Sequence, residues 1–374
     1  MLKRLMARLA GEAPAQALID AGHRAESAGQ LADACRLYRQ AVAAAPRFAR
    51  AHLNLGAALE ASGDAAGAER AYAAVLEFDP ANPYASYNLG NLAAARGDAA
   101  AAERLVRRAL ESKPEFPEAY VALANALEQG ARREQALDAL RAALAQRPQY
   151  IGAWFNCALL LRQLQRPDEA EDALRRVLEL DRQHLDAYRE LGALLRGSGR
   201  VEEALHCYRS APAAVSAAPT IESASLLTAL YADSVADSEL FSRHRAFAER
   251  LAKQHAPHRP THAGAAQPQR RLRIGYVSDD FCLHPAAAHL LPVLARHDRS
   301  AFEVHCYMTG PNDDHVTAEA RELADRWHDA APLDDAMLAD AVRDARIDVL
   351  VDLIGHAGRT RLGAFARRPA PVQV

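Results

Sequence analysis

Residues 49–82, ARAHLNLGAALEASGDAAGAERAYAAVLEFDPAN, and residues 83–116, PYASYNLGNLAAARGDAAAAERLVRRALESKPEF, align end to end without a gap. Both carry glycine at the eighth position (Gly56, Gly90), alanine at the twentieth (Ala68, Ala102) and proline at the thirty-second (Pro80, Pro114). Pro46 and Pro148 continue the same 34-residue step on either side. Alanine recurs at the twentieth position as Ala34, Ala136, Ala170 and Ala204, and the eighth stays small as Gly22, Ala124, Ala158 and Gly192. Two helices of a hairpin approach closely only where neither carries a bulky side chain, so these two positions mark a helix–helix contact line. The larger residues at position 24, among them Tyr38, Tyr72, Leu140 and Tyr208, are then expected to fill the groove between successive units. Proline sits where the second helix must stop, because it lacks an N–H and pushes the preceding residue out of helical geometry. A 34-residue helix pair is the tetratricopeptide unit, and of the five units complete to this position only the fifth departs, with Arg182 in the proline place.

The chain has 374 residues, enough for two or three domains, and half of them are hydrophobic, as in ordinary globular proteins. Lys plus Arg number 45 against 48 Asp plus Glu, and a net charge of −3 gives no electrostatic argument for nucleic acid or an anionic membrane, so neither is expected as a partner. Five cysteines, Cys35, Cys157, Cys207, Cys282 and Cys306, show no short paired spacing and read as small core residues in a reducing compartment. The N-terminal MLKRLMARLAGEAP is basic and amphipathic, but Lys3, Arg4 and Arg8 interrupt its apolar residues. It lacks the unbroken apolar stretch of a secretory signal, and no run is long enough to span a bilayer, so a soluble, cytoplasmic protein is expected.

Periodicity runs from about residue 15 to 211 and ends at PAAVSAAPT. Residues 212–254 keep helical apolar spacing without the register, with Ser238 as the expected cap of the second helix there. The stretch 255–271, rich in Pro, His and Gln, reads as a linker, and its histidines lack the spacing of a metal site. Beyond it LRIGYVSDDF (272–281), FEVHCYMTG (302–310) and IDVLVDLIGH (347–356) are apolar, β-branched runs separated by helical sequence at 286–297 and 315–345. That order predicts a parallel sheet covered by helices, with its ligand crevice at the carboxyl ends of the strands, after Ser278, Tyr307 and Leu353. Gly275 stands alone in the first run, so neither a dinucleotide fingerprint nor a phosphate-binding P-loop follows it.

The first strand leads into SDDFCLHP, bringing Asp279, Asp280 and His284 to the mouth of the crevice. The third leads into VDLIGHAGRTR, bringing Asp352, His356, Arg359 and Arg361 there. Two His/Asp clusters on separate strand ends suit general acid–base work on a hydroxyl. The plainer alternative is that Asp280 caps the next helix, Asp352 binds loop amides and the two arginines lie on the surface.

The long repeat array, the segment ELFSRHRAFAERLA, the run LRIGYVSDDF-x-x-HP and the closing GHAGRTRLGAFARRPAPVQV together resemble the protein O-linked N-acetylglucosamine transferases. That resemblance, which covers the chain from about residue 15, implies an α-solenoid followed by part of a Rossmann-like domain, the first half of a GT-B fold. It implies transfer of N-acetylglucosamine from UDP-GlcNAc to Ser or Thr hydroxyls with inversion, with no metal and no permanently bound cofactor. On this reading His284 matches the family histidine at the sugar and acceptor site, Asp352 and His356 match the acidic and histidine positions before the RPAP run, and Arg361 joins them in substrate binding. PAAAHLL after His284 is one residue longer before its next histidine than in some members, so no role is carried over to His289.

In each repeat, positions 6 and 9 of the first helix are expected to line a continuous groove on the concave face of a superhelix. Asn54, Asn88 and Asn156 fall at position 6, and Asn91 and Asn125 at position 9. An amide side chain both donates to and accepts from an extended backbone, so such a row grips polypeptide without reading its sequence. It resembles the asparagine ladder of the same family. The expected organisation is therefore a helical extension at 1–14, a repeat superhelix of about six units at 15–211, a helical connector at 212–254, a linker at 255–271 and a partial α/β domain at 272–374. Because the family's nucleotide-binding half has no counterpart before Val374, the chain by itself is expected not to turn over. The alternatives are a non-catalytic tetratricopeptide adaptor and a transferase using another donor sugar.

Overall fold

The computed structural model describes residues 2–216, 218–255 and 270–374, with side chains from residue 12 onward. Most of the expected linker, like the side chains of the basic N-terminal segment, lies outside the described residues. The chain divides into two compact units, one ending at Arg182 and the other beginning at Gln183.

The first unit is made of helices alone: α1 (Leu2–Ser27), α2 (Leu31–Ala44), α3 (Ala49–Ala61), α4 (Ala65–Phe78), α5 (Pro83–Ala95), α6 (Ala99–Ser112), α7 (Pro117–Gln129), α8 (Arg133–Gln146), α9 (Ile151–Gln163) and α10 (Pro167–Leu180). The expected extension at 1–14 is not a separate element, since α1 runs through it into the first repeat. Consecutive helices form hairpins, and Ala34, Ala68, Ala102, Ala136 and Ala170 are at most 1% exposed, as a close contact line requires. Asp64 and Asp98 cap α4 and α6 by accepting the amides of Gly67 and Ala101 at 2.8 and 2.9 Å. The turn between the paired helices uses a left-handed residue, supplied by Gly29, Gly63 and Gly97 in the first three hairpins. Ala131 and Gln165 hold the same position with φ of 58° and 57°.

The large residues at position 24 also make a contact that their spacing does not specify. They turn back onto the small residue of their own hairpin: a Cβ added at Gly22 or Gly56 would enter the ring of Tyr38 or Tyr72, and one at Gly90 would lie 2.6 Å from Val106. Where position 24 is Leu140 or Leu174, position 8 is Ala124 or Ala158, so small and large are exchanged in pairs. The tyrosine hydroxyls finish on the first helix, Tyr38 donating to Glu26 at 2.9 Å and Tyr72 to Glu60 at 3.2 Å. Burial and these acceptors push both phenols well above their ordinary range.

The second unit begins with one more hairpin of the same kind, α11 (Leu185–Gly197) and α12 (Val201–Ser210), with Tyr208 on Gly192. It continues through the short α13 (Ala213–Ser216), α14 (Pro219–Ala229) and α15 (Asp237–Gln254). Ala236, not Ser238, is the N-cap of α15, and it makes no side-chain cap; Asp237 and Glu239 instead place negative charge in the first turn, where the helix dipole favours it. The sixth repeat groups with these later elements because α14 packs against both of its helices.

The α/β part follows as β1 (Leu272–Ser278), α16 (Pro285–Ala295), β2 (Phe302–Met308), α17 (His315–Leu323), β3 (Arg326–Asp329), α18 (Asp335–Asp344), β4 (Val349–Asp352), α19 (Leu362–Ala366) and β5 (Val372–Gln373). All five strands are parallel, in the order β3-β2-β1-β4-β5. β3 interrupts the stretch 315–345 that reads as helix throughout, because four polar-to-aromatic residues at a sheet edge are too short to show a period of two. Neighbouring residues serve opposite faces of the sheet. Tyr276, Cys306 and Met308 pack with Leu294 and Ala320, while Val277, Tyr307 and Leu350 pack with Leu338, Val342 and Phe365. The strand order reverses between β1 and β4, which puts the ligand crevice of this topology at their carboxyl ends.

All five cysteines are buried, and none is joined in a disulfide. Burial drives the thiols of Cys157 and Cys306 up to about 12. No helix among the described residues is long and apolar enough to cross a membrane.

Candidate functional site

The chain leaves β1 at Ser278, a fully buried residue whose hydroxyl accepts the Asp280 amide at 3.0 Å and so bends the backbone out of the sheet. Asp279 then lies between two loops. Its backbone oxygen would be 2.7 Å from a Cβ on Gly310, which follows β2, and its carboxylate accepts the Arg359 amide, which follows β4, at 3.1 Å. Glycine at 358, with φ of 48°, lets the second loop close on that carboxylate. The strand-end segments singled out from sequence therefore do converge, and Asp279 is where they meet.

The HP segment is held from the far side. Asp314 caps α17 through the amides of Val316 and Thr317, completes a capping box with Thr317, and with its other oxygen accepts the Leu283 amide at 2.8 Å. This leaves Leu283 75% exposed and His284 at the N-cap of α16, with Pro285 at its first turn. His284, not Asp280, is the cap: its Nδ1 lies 3.3 Å from the Ala286 amide. The same Nδ1 lies 3.3 Å from Asp280 Oδ2. Burial and the neighbouring Asp279 carboxylate raise the Asp280 carboxyl above its ordinary range, with His284 pulling the other way.

Asp352 and His356 each have partners within the fold. Asp352 Oδ1 accepts the amides of Ile354 and Gly355 at 2.9 and 3.1 Å, the plainer of the two readings of that residue. His356 Nδ1 is 2.6 Å from Ser223 Oγ on α14, and its ring meets those of His244 and Phe247 on α15 edge-on at 5.0 and 5.2 Å. Burial, helped by His244, lowers the His356 imidazole to about 4, so the ring is neutral. Arg361 is 9% exposed; it donates to the Leu333 carbonyl at 2.8 Å and pairs with Asp335 at 2.9 Å. Among the described residues no hydrogen bond or ion pair joins His284 to Asp352 or His356. The hydroxyls of Thr309 and Thr360, each next to a residue that closes on Asp279, are buried without a hydrogen-bond partner.

In the repeats Asn54 lies on α3, Asn88 and Asn91 on α5, Asn125 on α7 and Asn156 on α9. Asn125 is exposed and the others partly buried. Nδ2 of Asn54 is buried and has no hydrogen-bond partner, so an amide donor is left open on this helix face.

Sequence reading missed Asp314, Ser223 and the closure of Gly310 and Gly358 on Asp279. Asp314 is legible in hindsight from its Asp-x-x-Thr spacing ahead of a helix. Ser223 carries no local signal.

An arrangement of this kind, helical repeats followed by a parallel sheet with an HP segment at its strand ends, has known counterparts. Residues 230–374 match the model of glycosyl transferase family 41, and residues 19–83, 59–127, 93–156 and 126–195 match tetratricopeptide models. These two matches define the class, a tetratricopeptide-repeat protein with a glycosyltransferase region. Within it the chain is similar to O-GlcNAc transferase-type proteins. It is 33% identical over 153 residues to a probable UDP-N-acetylglucosamine–peptide N-acetylglucosaminyltransferase SPINDLY of Arabidopsis thaliana, covering 40% of this chain and 17% of that one. It is 33% identical over 112 residues to the UDP-N-acetylglucosamine–peptide N-acetylglucosaminyltransferase of Caenorhabditis elegans, covering 29% of this chain and 10% of that one. Among solved structures, a mutant form of the Thermobaculum terrenum O-GlcNAc transferase is 32% identical, with a TM-score of 0.33, over 87% of this chain and 49% of that one. The chain thus spans about half of that solved protein and less than a fifth of these curated relatives.

Proposed function

We propose that this chain takes part in moving N-acetylglucosamine from UDP-GlcNAc to serine or threonine hydroxyls of polypeptides held along the repeats, with inversion at the anomeric carbon. The observation that carries the reading is the exposed His284 beside Asp280 at the carboxyl ends of parallel strands, within a region of glycosyltransferase family 41 type. The acceptor oxygen attacks the anomeric carbon, the bond from that carbon to the diphosphate oxygen breaks, and the electron pair leaves with UDP. His284 stands where an incoming hydroxyl can give up its proton to the ring. The buried hydroxyls of Thr309 and Thr360 offer hydrogen bonds to a ligand in the crevice without breaking any internal one.

Asp352, His356 and Arg361 serve the same site at one remove in this reading. Asp352 stiffens the turn after β4, His356 fastens that turn to α14 and α15, and Arg361 pins its far end to Leu333 and Asp335. The asparagine row supplies backbone-directed amides to an extended acceptor.

The test is incorporation of labelled sugar from UDP-GlcNAc into an unfolded, serine-rich polypeptide by the complete gene product. Transfer is expected, and His284→Ala should reduce its rate by about a hundredfold or more, as loss of a general base does. Absence of label with the unsubstituted protein, under conditions where it binds the polypeptide, removes the proposal.

A further inference from the structure

His284 Nδ1 has two suitors at the same 3.3 Å distance that demand opposite protonation. The Ala286 amide can only donate, so bonding to it requires a bare Nδ1 and places the ring proton on Nε2. The Asp280 carboxylate can only accept when ionised, so bonding to it requires Nδ1–H and leaves the Nε2 lone pair bare. A hydrogen bond to an ionised acceptor is roughly twice as strong as one between neutral groups, and the Ala286 amide keeps the option of water at this exposed helix start. Asp280 itself is fixed in place by its amide on Ser278 Oγ, within a loop held by Asp314.

The geometry points to Asp280 as a positioning residue that holds neutral His284 in the Nδ1–H tautomer, so that Nε2 is the nitrogen that accepts a proton. This rests on the reading of His284 as the base, and it adds which atom acts and which residue makes it act. A bare Nε2 at the N-cap is not the default arrangement for a histidine there: without Asp280, capping by Nδ1 would put the proton on Nε2 and disarm the ring.

Long-range 1H–15N NMR of the protein labelled at histidine nitrogens reads the tautomer directly, with the His284 signals identified by their loss in His284→Gln. At a pH where the ring is neutral, the unsubstituted protein should show Nε2 in the unprotonated range and Nδ1 in the protonated range. Asp280→Asn should lower the ratio of Nδ1–H to Nε2–H by on the order of tenfold or more, the worth of a hydrogen bond to a charged group, and Asp280→Glu should restore much of it. Nε2–H as the main form in the unsubstituted protein overturns the inference, whether or not any variant folds. So does a ratio that Asp280→Asn, with unchanged backbone spectra, leaves where it was. Sugar transfer separates this from the broader reading: a tautomer that follows Asp280 while His284→Ala transfers at full rate sinks His284 as base and leaves the Asp280 assignment standing.

Discussion

His356 is neutral in the fold because its ring is enclosed by Phe247, His244 and the Ser223 hydroxyl, and burial together with the neighbouring His244 disfavours a charge there. Its folded value near 4 lies below the ordinary histidine value of 6.5, so the unfolded chain binds the proton more readily. Stability from this residue is therefore complete above about pH 6.5 and is lost as the pH falls from there towards 4, amounting to at most about 3 kcal/mol. Urea unfolding of the second unit, followed between pH 7.5 and 4.5, should show this loss, and His356→Asn should flatten it. An equal pH dependence in both proteins would mean that the ring is not enclosed in this way. The residue also shows where sequence stops being informative. GH after a strand marks a residue near the crevice, but its partner Ser223 lies 133 positions earlier in a helix without register, and nothing local couples the two. Asp279 is placed at the crevice mouth by the strand pattern, while its bond to the Arg359 amide depends on how a glycine-bearing loop closes.

Within a hairpin, the pairing of Gly56 with Tyr72 and of Ala124 with Leu140 is a packing rule that acts on both helices at once. Gly56→Ala alone drives a methyl group into the Tyr72 ring and should cost about 1–3 kcal/mol, as overpacking usually does. Combined with Tyr72→Leu, the pair becomes the one already used in the fourth repeat, and most of that loss should return. Chemical denaturation of the two single variants and the double one measures the coupling, and strict additivity would show that the two side chains do not meet. The helices are legible because small and large residues recur in register over six repeats, whereas the direction in which the large ones turn is not. Spacing fixes the face of a helix, and which small residue a large ring covers depends on which backbone comes close enough. β3 escapes for a different reason: His305 and His328 stack across β2 and β3, so the edge is built from polar rings that read as helix surface.

Across the molecule, the repeats and the sheet answer different questions about a transferase. In the proposed function the repeats bear on affinity for polypeptide, and the strand ends bear on chemistry. Replacing Asn54, Asn88 and Asn156 together by alanine should weaken binding of an unfolded polypeptide by about tenfold, from a few hydrogen bonds each of modest net value, without altering the His284 tautomer. Fluorescence anisotropy with a labelled unfolded acceptor measures it, and unchanged affinity would remove the asparagines from substrate capture.

The buried thiols have a practical corollary. Cys35 and Cys157 lie in the first unit and Cys207, Cys282 and Cys306 in the second, and each is shut away from solvent. A water-borne alkylating reagent meets no ready nucleophile until packing opens, and each half of the chain then reveals its own sulfur. Nature has thereby furnished the polypeptide with a separate chemical clock for the loosening of its scaffold and of its strand-bearing part, with no engineered label needed to start either one.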